Sequence, residues 1–241
     1  MNSQNPYASS FSVAQAPADA RTEFYQKTYL HLAGAVGALI VLVALLFQTP
    51  LPVAFLKLIG AGQFSWLIVL GVFMAVSWVA QKWAYSNTSR GMQYAGLGLY
   101  VVAEAIILLP LLTIAILYTG SGPELIMQAG IITGGLFAGL TFVAFTTKKD
   151  FSFLSGIIKV GFFVALGLIV ASFFFGGLNL GVWFMGAMVL LLGATILYQT
   201  SQIIHNFGTE QYVAASLGLF ASLATLFFYV LQILLSFTGD D

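Results

Sequence analysis

Seven long runs of apolar residues dominate this sequence and restrict what it can fold into. Crossing ~30 Å of hydrocarbon takes about 20 helical residues at 1.5 Å rise each. The runs are continuously apolar and do not alternate with polar residues, which favours helices over the strands of a membrane barrel. They span residues 29–47, 64–80, 94–118, 125–145, 157–175, 180–198 and 212–237. We predict an all-α membrane protein, a bundle of seven transmembrane helices.

The composition supports a protein whose surface faces lipid. Of 241 residues, 60% are hydrophobic and 7% are charged, whereas soluble domains carry about 25% charged residues. The formal net charge is zero, and no nucleic-acid partner is expected, because phosphate binding needs clustered Lys and Arg. The absence of cysteine excludes disulfides, thiolate metal sites and thiol catalysis. The lipid bilayer is therefore the first partner that the sequence implies.

The chain divides into two predicted parts. Residues 1–26 are mostly small and polar, contain prolines, and lack the basic-then-apolar order of a signal peptide. We predict that they form a disordered cytoplasmic tail. Residues 27–238 then form one transmembrane domain of seven helices. A tight turn is predicted at 176–179. If the fifth and sixth runs formed a single helix, that helix would be twice as long as a bilayer is thick.

The distribution of cations predicts the orientation. Positively charged residues accumulate in the cytoplasmic loops of membrane proteins. Only Lys57 lies on one predicted side of the bundle, and the other side carries Arg21, Lys27, Lys82, Arg90, Lys148, Lys149 and Lys159. We therefore predict a cytoplasmic N-terminus, a C-terminus outside, and a multi-pass protein of the cell membrane.

Glu104 is the one carboxylate inside a predicted span. It lies ten residues into the third run, about 15 Å deep and near the midplane. An ionised carboxylate at that depth is costly unless it is paired or hydrated, and such residues commonly mark a pathway. The alternative is a neutral Glu104 bonded to a neighbouring hydroxyl or carbonyl group. Pro110 could open a polar notch beside it, or it could simply be tolerated in the helix.

The fourth run carries glycines at the spacing that lets another helix approach closely. They are Gly130, Gly134, Gly135 and Gly139. We interpret them as an ordinary packing face and expect this span to lie at the centre of the bundle.

No pattern in the sequence indicates an enzyme. His31 and His205 are far apart in sequence and no HExxH string is present, so a zinc site is poorly supported. No GxSxG string, Walker loop or dinucleotide fingerprint occurs. The last run contains no lysine for a retinal Schiff base. We predict a non-enzymatic protein with no catalytic residues, no metal site and no cofactor.

Two stretches resemble the Bax inhibitor-1 family (the transmembrane Bax inhibitor motif proteins), in particular its bacterial YccA-like branch. The first, TTKKDFSFLSG at 146–156, is similar to the family's turn after its fourth helix. The second comprises YQTSQIIH at 198–205, TEQY at 209–212 and SLGLFASL at 216–223. The resemblance implies seven spans and, through the branch, a bacterial inner membrane. Its signature turn places Lys148, Lys149, Asp150, Phe151 and Gly156 together, with Asp150 in a capping or salt-bridging role.

The sequence departs from the family pattern at Gln199 and Ser222. Many members carry Asp at both positions, and that pair shares a proton and gates a calcium leak. Gln199 and Ser222 can hydrogen-bond each other, but neither titrates. Ser222 lies ten residues into the last run, at the predicted depth of Glu104. We therefore predict one polar core of Glu104, Gln199 and Ser222, with Glu104 as its sole titratable group.

The sequence leaves two functions open. The YccA-like branch implies a modulator, and also a substrate, of the membrane-anchored AAA protease FtsH in membrane-protein quality control, with the N-terminal tail as a handle or merely a spacer. The family also implies a cation leak channel for calcium ions or protons, here with a modified gate. The missing Asp pair favours the protease modulator slightly, and the two functions are compatible.

Overall fold

The fold is a bundle of α-helices. The structure, a computed structural model, describes residues 12–62, 64–86, 89–147, 149–175 and 180–238. Within these ranges it contains eight helices and no strands. They are α1 (Ala18–Leu46), α2 (Leu51–Gly60), α3 (Ser65–Ala84), α4 (Arg90–Tyr118), α5 (Gly122–Thr147), α6 (Leu154–Phe174), α7 (Gly181–His205) and α8 (Tyr212–Thr238). All but α2 are long and apolar enough to cross a membrane, which confirms the predicted bundle of seven transmembrane helices.

The two ends of the bundle differ in which helices begin and end there. At the N-terminal face, α1, α4, α6 and α8 begin and α3, α5 and α7 end. The other end is the opposite face, where α2 lies. The predicted turn at 176–179 falls outside the described residues. That the N-terminal face is cytoplasmic stays a prediction from the cation distribution.

Helical structure begins within the segment predicted to be a disordered tail. Helix α1 begins at Ala18, directly after Pro17, whose fixed φ suits the start of a helix. A 3-10 turn, Val13–Gln15, precedes it. Val13 is fully buried and its amide donates a 2.8 Å hydrogen bond to the carbonyl oxygen of Phe207. Apolar burial thus orders 12–26, and residues 1–11 of the predicted tail lie outside the described residues.

Helix α2 lies between the first two predicted spans and was not predicted. Its 10 residues are too few to cross a bilayer. Pro52 occupies its first turn, where the missing N–H group would have had no helical partner anyway. The helix packs on α4 at the opposite face.

The centre of the bundle is formed by α4 and α8. In their most apolar stretches 72% and 50% of the residues are buried, against 17% in α5. The prediction that the fourth span lies centrally is therefore wrong. Its glycines Gly130, Gly134, Gly135 and Gly139 face open space, since a Cβ added at any of them would meet nothing within 4 Å. Small residues permit close approach but do not ensure a partner helix.

A close contact between two helices involves a different glycine. A Cβ on Gly96 of α4 would lie 2.5 Å from the carbonyl oxygen of Ala80 and 2.6 Å from the amide nitrogen of Ala84. Both belong to the end of α3. The absence of a side chain at Gly96 thus lets the α3 and α4 backbones meet.

Candidate functional site

Glu104 is buried at the centre of the bundle. Its side chain belongs to α4 and only 2% of it is exposed. The carboxyl group faces the hydroxyl group of Tyr100, one turn earlier on the same helix, and that hydroxyl also approaches Ser77 of α3. Among the described residues, the Oε2 atom of Glu104 has no hydrogen-bond partner. Burying a carboxyl oxygen without a hydrogen-bond partner costs free energy. Such an oxygen is therefore expected to meet water or a cation.

Glu104 lines a cavity of about 460 Å³ that we call the Glu104 cavity. Residues of α3, α4, α6, α7 and α8 form its walls. Phe173 lies near the end of α6 and Gly181 begins α7, so the cavity reaches from the opposite face towards the bundle centre. Its polar lining besides Glu104 consists of Trp66, Ser172, Thr225, Tyr229 and Gln232.

Gln199 and Ser222 form a direct contact between α7 and α8. The Ser222 hydroxyl donates a 2.9 Å hydrogen bond to Oε1 of Gln199. Ser222 is 5% exposed, so this bond lies inside the bundle. We call it the Gln199–Ser222 latch.

Gln199 also lines a second cavity, of about 430 Å³, that we call the Gln199 cavity. Its walls come from the last turns of α7, the first turns of α8 and the end of α3, so it lies at the N-terminal face. Several polar side chains line it, namely Tyr85, Tyr198, Gln199, Gln202, Asn206 and Gln211.

The latch and the two cavities follow one another along α8. Gly218 lines the Gln199 cavity, Ser222 forms the latch, and Thr225 lines the Glu104 cavity. These positions are three or four residues apart and therefore share one helix face. No hydrogen bond joins Glu104 to Gln199 or Ser222 within the part of the chain that the structure describes. The three residues of the predicted polar core thus occupy two adjoining places, Glu104 in one cavity and the other two in the latch.

The comparisons with known proteins agree with this architecture. A family model described as "Inhibitor of apoptosis-promoting Bax1" matches residues 21–239. The chain belongs to the Bax inhibitor-1 family.

Relatives of this Bax inhibitor-1 family member occur in bacteria, fungi and viruses. An uncharacterized protein of Pseudomonas aeruginosa is 35% identical over 215 residues, covering 88% of this chain and 87% of its own. "Bax inhibitor 1" of Schizosaccharomyces pombe is 27% identical over 253 residues, covering 99% and 87%. The "Golgi anti-apoptotic protein" of Vaccinia virus (strain Lister) is 33% identical over 129 residues, covering 51% and 52%.

The signature turn of this family member docks on the end of α7. Asp150 accepts hydrogen bonds from the amide of Ser152 at 2.9 Å and from its hydroxyl at 2.5 Å. The Ser201 hydroxyl accepts the Phe151 amide at 3.0 Å and lies 3.4 Å from Asp150. The side-chain amide of Gln202 donates to the Ser152 hydroxyl at 3.0 Å. The turn is thus a clasp between α6 and α7.

The electrostatics of this clasp favour the ionised carboxylate. The hydrogen bonds from Ser152, first its hydroxyl and then its amide, hold the pKa of Asp150 below its ordinary value, and the charge of nearby His205 acts in the same direction. Of the other signature residues, Lys149 is exposed, Phe151 is half-buried and a Cβ on Gly156 would meet open space. Lys148 lies outside the described residues.

The two histidines of this family member lie on different helices, His31 on α1 and His205 on α7. His31 interacts through Nδ1 with the carbonyl oxygen of Lys27 at 2.6 Å and through Nε2 with the Tyr94 hydroxyl at 3.1 Å. His205 interacts through Nδ1 with the carbonyl oxygen of Ser201 at 2.9 Å. In the described ranges no group of three or more His, Cys, Asp or Glu side chains could hold a metal ion.

The sequence reading missed Tyr100 and Thr225. Tyr100 precedes Glu104 by four residues, which is the spacing of facing side chains on one helix. That signal could have identified it. Thr225 could not be recognised in this way, because its hydroxyl donates to the carbonyl oxygen of Ala221 in its own helix at 2.8 Å, a bond that threonines make in helices generally.

Proposed function

We propose that this Bax inhibitor-1 family member is a non-enzymatic cation leak protein of the membrane. The observation that carries this proposal is the alignment of two cavities on α8, one reaching Glu104 from the opposite face and one reaching Gln199 from the N-terminal face. Along α8, Ser222 of the latch lies between the residues that line the two cavities. A central carboxyl group with an unpartnered oxygen then lies where an ion or proton entering the bundle would stop.

The lining of the Glu104 cavity suits a cation. Carboxylate, hydroxyl and amide oxygens are the ligands of hard cations such as calcium, and Glu104, Thr225 and Gln232 offer these groups. Protons are the second candidate, since a buried carboxyl group can exchange one with the cavity. Both cations are compatible with one titratable group at the inner end of the cavity.

The Gln199–Ser222 latch is the proposed closure of the pathway. It lies between the cavities and holds α7 against α8 by a neutral hydrogen bond. Because neither side chain titrates, a change of pH does not break the latch directly. We therefore propose a constitutive low leak in which Glu104 selects the ion and helix motion opens the latch.

The test is ion flux in liposomes that contain the purified full-length chain. Calcium and proton flux are measured for wild type and for Glu104→Gln, with Glu124→Gln as the matched control, because Glu124 lies in the first turn of α5 and outside the Glu104 cavity. The expected result is flux above that of empty liposomes, lost in E104Q and kept in E124Q. Flux equal to that of empty liposomes, or an unchanged flux in E104Q, would overturn the proposal.

Modulation of the AAA protease FtsH in a bacterial inner membrane is the second proposed function. The observation relevant to it is the docking of the N-terminal segment. Val13 is fully buried beside α7, and Ser12 pairs with Gly208 in an isolated antiparallel bridge. An ATP-driven protease that pulls from the N-terminus must first release this segment. We propose that the docking protects the chain from the protease.

A further inference from the structure

A groove of about 560 Å³ runs between α1 and α4 and belongs to neither cavity of the proposed pathway. Both helices are membrane spans, and the groove opens away from the bundle, since Leu30 and Val102 at its rim are 71% and 46% exposed. Its walls are mostly apolar, with Gly34, Ala38 and Leu42 on α1 and Leu97, Gly98 and Val101 on α4.

Two glycines keep the groove open. A Cβ added at Gly34 of α1 or at Gly98 of α4 would meet nothing within 4 Å. The two helices therefore do not close on each other at these positions. In a bilayer such an apolar groove is accessible to the acyl chains of the surrounding lipid.

The end of the groove at the N-terminal face is polar. His31 and Tyr94 form that end, with ring centroids 5.5 Å apart. The Tyr212 ring lies 5.1 Å from the His31 ring. Lys27 Nζ and Arg90 Cζ lie 5.3 Å and 4.8 Å from the centroid of this Tyr212 ring. An ammonium, a guanidinium, two phenols and an imidazole thus converge at one end of an apolar groove.

Both cations have partners but stay partly exposed. The side chains of Lys27 and Arg90 are 44% and 40% exposed, and Arg90 also donates to the carbonyl oxygen of Glu210 at 2.8 Å. Lys27 pairs with Glu23 at 2.6 Å, and Arg90 pairs with Glu210. The two carboxylate side chains are 64% and 70% exposed, and ion pairs at such exposure contribute little. A phosphate group at the interface can therefore share or replace these partners. Basic side chains next to a membrane surface attract anionic lipids.

From this arrangement we propose that the groove between α1 and α4 binds one anionic phospholipid from the leaflet at the N-terminal face. One acyl chain lies along Gly34 and Gly98. The phosphate lies at Lys27 and Arg90. The bound lipid would then lie at the N-terminal ends of α1 and α4 and would not enter the Glu104 cavity.

The shape of the groove distinguishes this occupant from a second copy of the chain. A symmetric dimer through this face would bring identical patches together, so the open groove of one copy would face the open groove of the other and neither would be filled. A phospholipid instead matches both parts of the groove, because its chain is apolar and its head group is negative.

Native mass spectrometry of the detergent-purified full-length chain tests this proposal. The protein is titrated with dioleoyl phosphatidylglycerol and, in parallel, with dioleoyl phosphatidylcholine. The expected result is one tightly retained phosphatidylglycerol and weaker phosphatidylcholine. Lys27→Gln and Arg90→Gln should each weaken phosphatidylglycerol binding about fivefold and leave phosphatidylcholine unchanged.

Variants that fill the groove test the acyl-chain site. Gly98→Leu and Gly34→Leu should reduce retention of both lipids, whereas Gly139→Leu, placed in open space on α5, should not. Equal retention of the two lipids by wild type, or unchanged retention in both filled variants, would overturn the proposal. So would a dimeric wild type that G98L converts to a monomer. If the filled variants fail to fold, the Lys27→Gln titration decides by itself.

Discussion

The Ser222 hydroxyl and the Gln199 side-chain carbonyl are 2.9 Å apart, and their hydrogen bond joins α7 to α8 between the two cavities. Removing the donor with Ser222→Ala should weaken the closed state by about 1 kcal/mol, the net contribution of a typical hydrogen bond. The open fraction, and with it the cation flux into liposomes, should rise about fivefold. The flux assay of the reconstituted chain measures this directly.

Ser216→Ala is the matched control for this change. Ser216 is buried on the same helix, but its hydroxyl donates at 2.8 Å to the carbonyl oxygen of Val213 in α8 itself. Its removal should leave the flux unchanged. A folded S222A protein with wild-type or lower flux would show that the latch does not close the pathway.

The sequence predicted the parts of this site that follow from spacing and depth. Apolar runs of sufficient length identified all seven spans, because hydrocarbon thickness sets the length of a helix. The family resemblance paired Gln199 with Ser222, and their bond is present. The burial of Glu104 followed from its position in the third run, and it is 2% exposed.

The arrangement of the helices could not be predicted in the same way. In a membrane protein the lipid-facing and buried sides of a helix are both apolar, so the residue pattern does not show which side faces inward. For this reason the glycines of α5 predicted a central packing face that the structure does not contain. The separation of Glu104 from the latch also depends on that arrangement, so it could not be predicted from the sequence either.

Tyr100 and Glu104 should be energetically coupled. Tyr100→Phe removes the hydroxyl that the buried carboxyl group faces and should reduce stability by about 1–3 kcal/mol, the cost of leaving a buried polar group unsatisfied. In a Glu104→Leu background the same change should cost much less, which gives a coupling of about 0.5–3 kcal/mol. Unfolding by SDS in mixed micelles supplies the four stabilities.

Tyr229→Phe is the control for the cycle, since Tyr229 lines the same cavity and has no interaction with Glu104. Its cost should be equal in both backgrounds. Additive effects of Y100F and E104L would contradict the coupling and leave Glu104 without its proposed partner.

Gly96→Ala should destabilise the bundle. The new Cβ would meet backbone atoms of Ala80 and Ala84 at 2.5 and 2.6 Å, and overpacking of this kind typically costs about 1–3 kcal/mol. Backbone atoms cannot rotate away as a side chain can. Gly91→Ala, where a Cβ has open space on the same helix, should be neutral or slightly stabilising because Ala favours helices. Thermal unfolding in detergent compares the two, and equal melting temperatures would refute the close approach of α3 and α4.

The clasp at Asp150 should lose stability in acid. The pKa of Asp150 is below its ordinary value in the folded chain because Ser152 bonds the carboxylate. Such a group stabilises the folded state above the unfolded pKa of about 3.9, and that contribution is lost as the pH falls through the folded value. Asp150→Asn should therefore lower the melting temperature at pH 6, and the difference from wild type should shrink as the pH falls below about 3.9.

Ser152→Ala provides the control for this pH dependence. It removes the hydroxyl donor and keeps the amide donor, so adding Asp150→Asn to the Ser152→Ala protein should lower the melting temperature less than it does in wild type. A melting difference that stays constant from pH 6 to pH 3 would show that the charge of Asp150 does not contribute to the clasp.

The docking of Val13 should control turnover if FtsH degrades the chain from its N-terminus. Val13→Asp would place a carboxylate in a site where the native side chain is fully buried among Phe24 and Ile203, and an unpaired buried charge is strongly unfavourable. Residues 12–17 should then detach and become available for engagement. Ala14→Asp adds the same charge at an exposed position of the same turn. A pulse-chase in cells with and without the protease should show a shorter half-life for V13D alone, and only when the protease is present. Equal half-lives for the two variants would mean that the protease, if it acts on this chain, enters elsewhere.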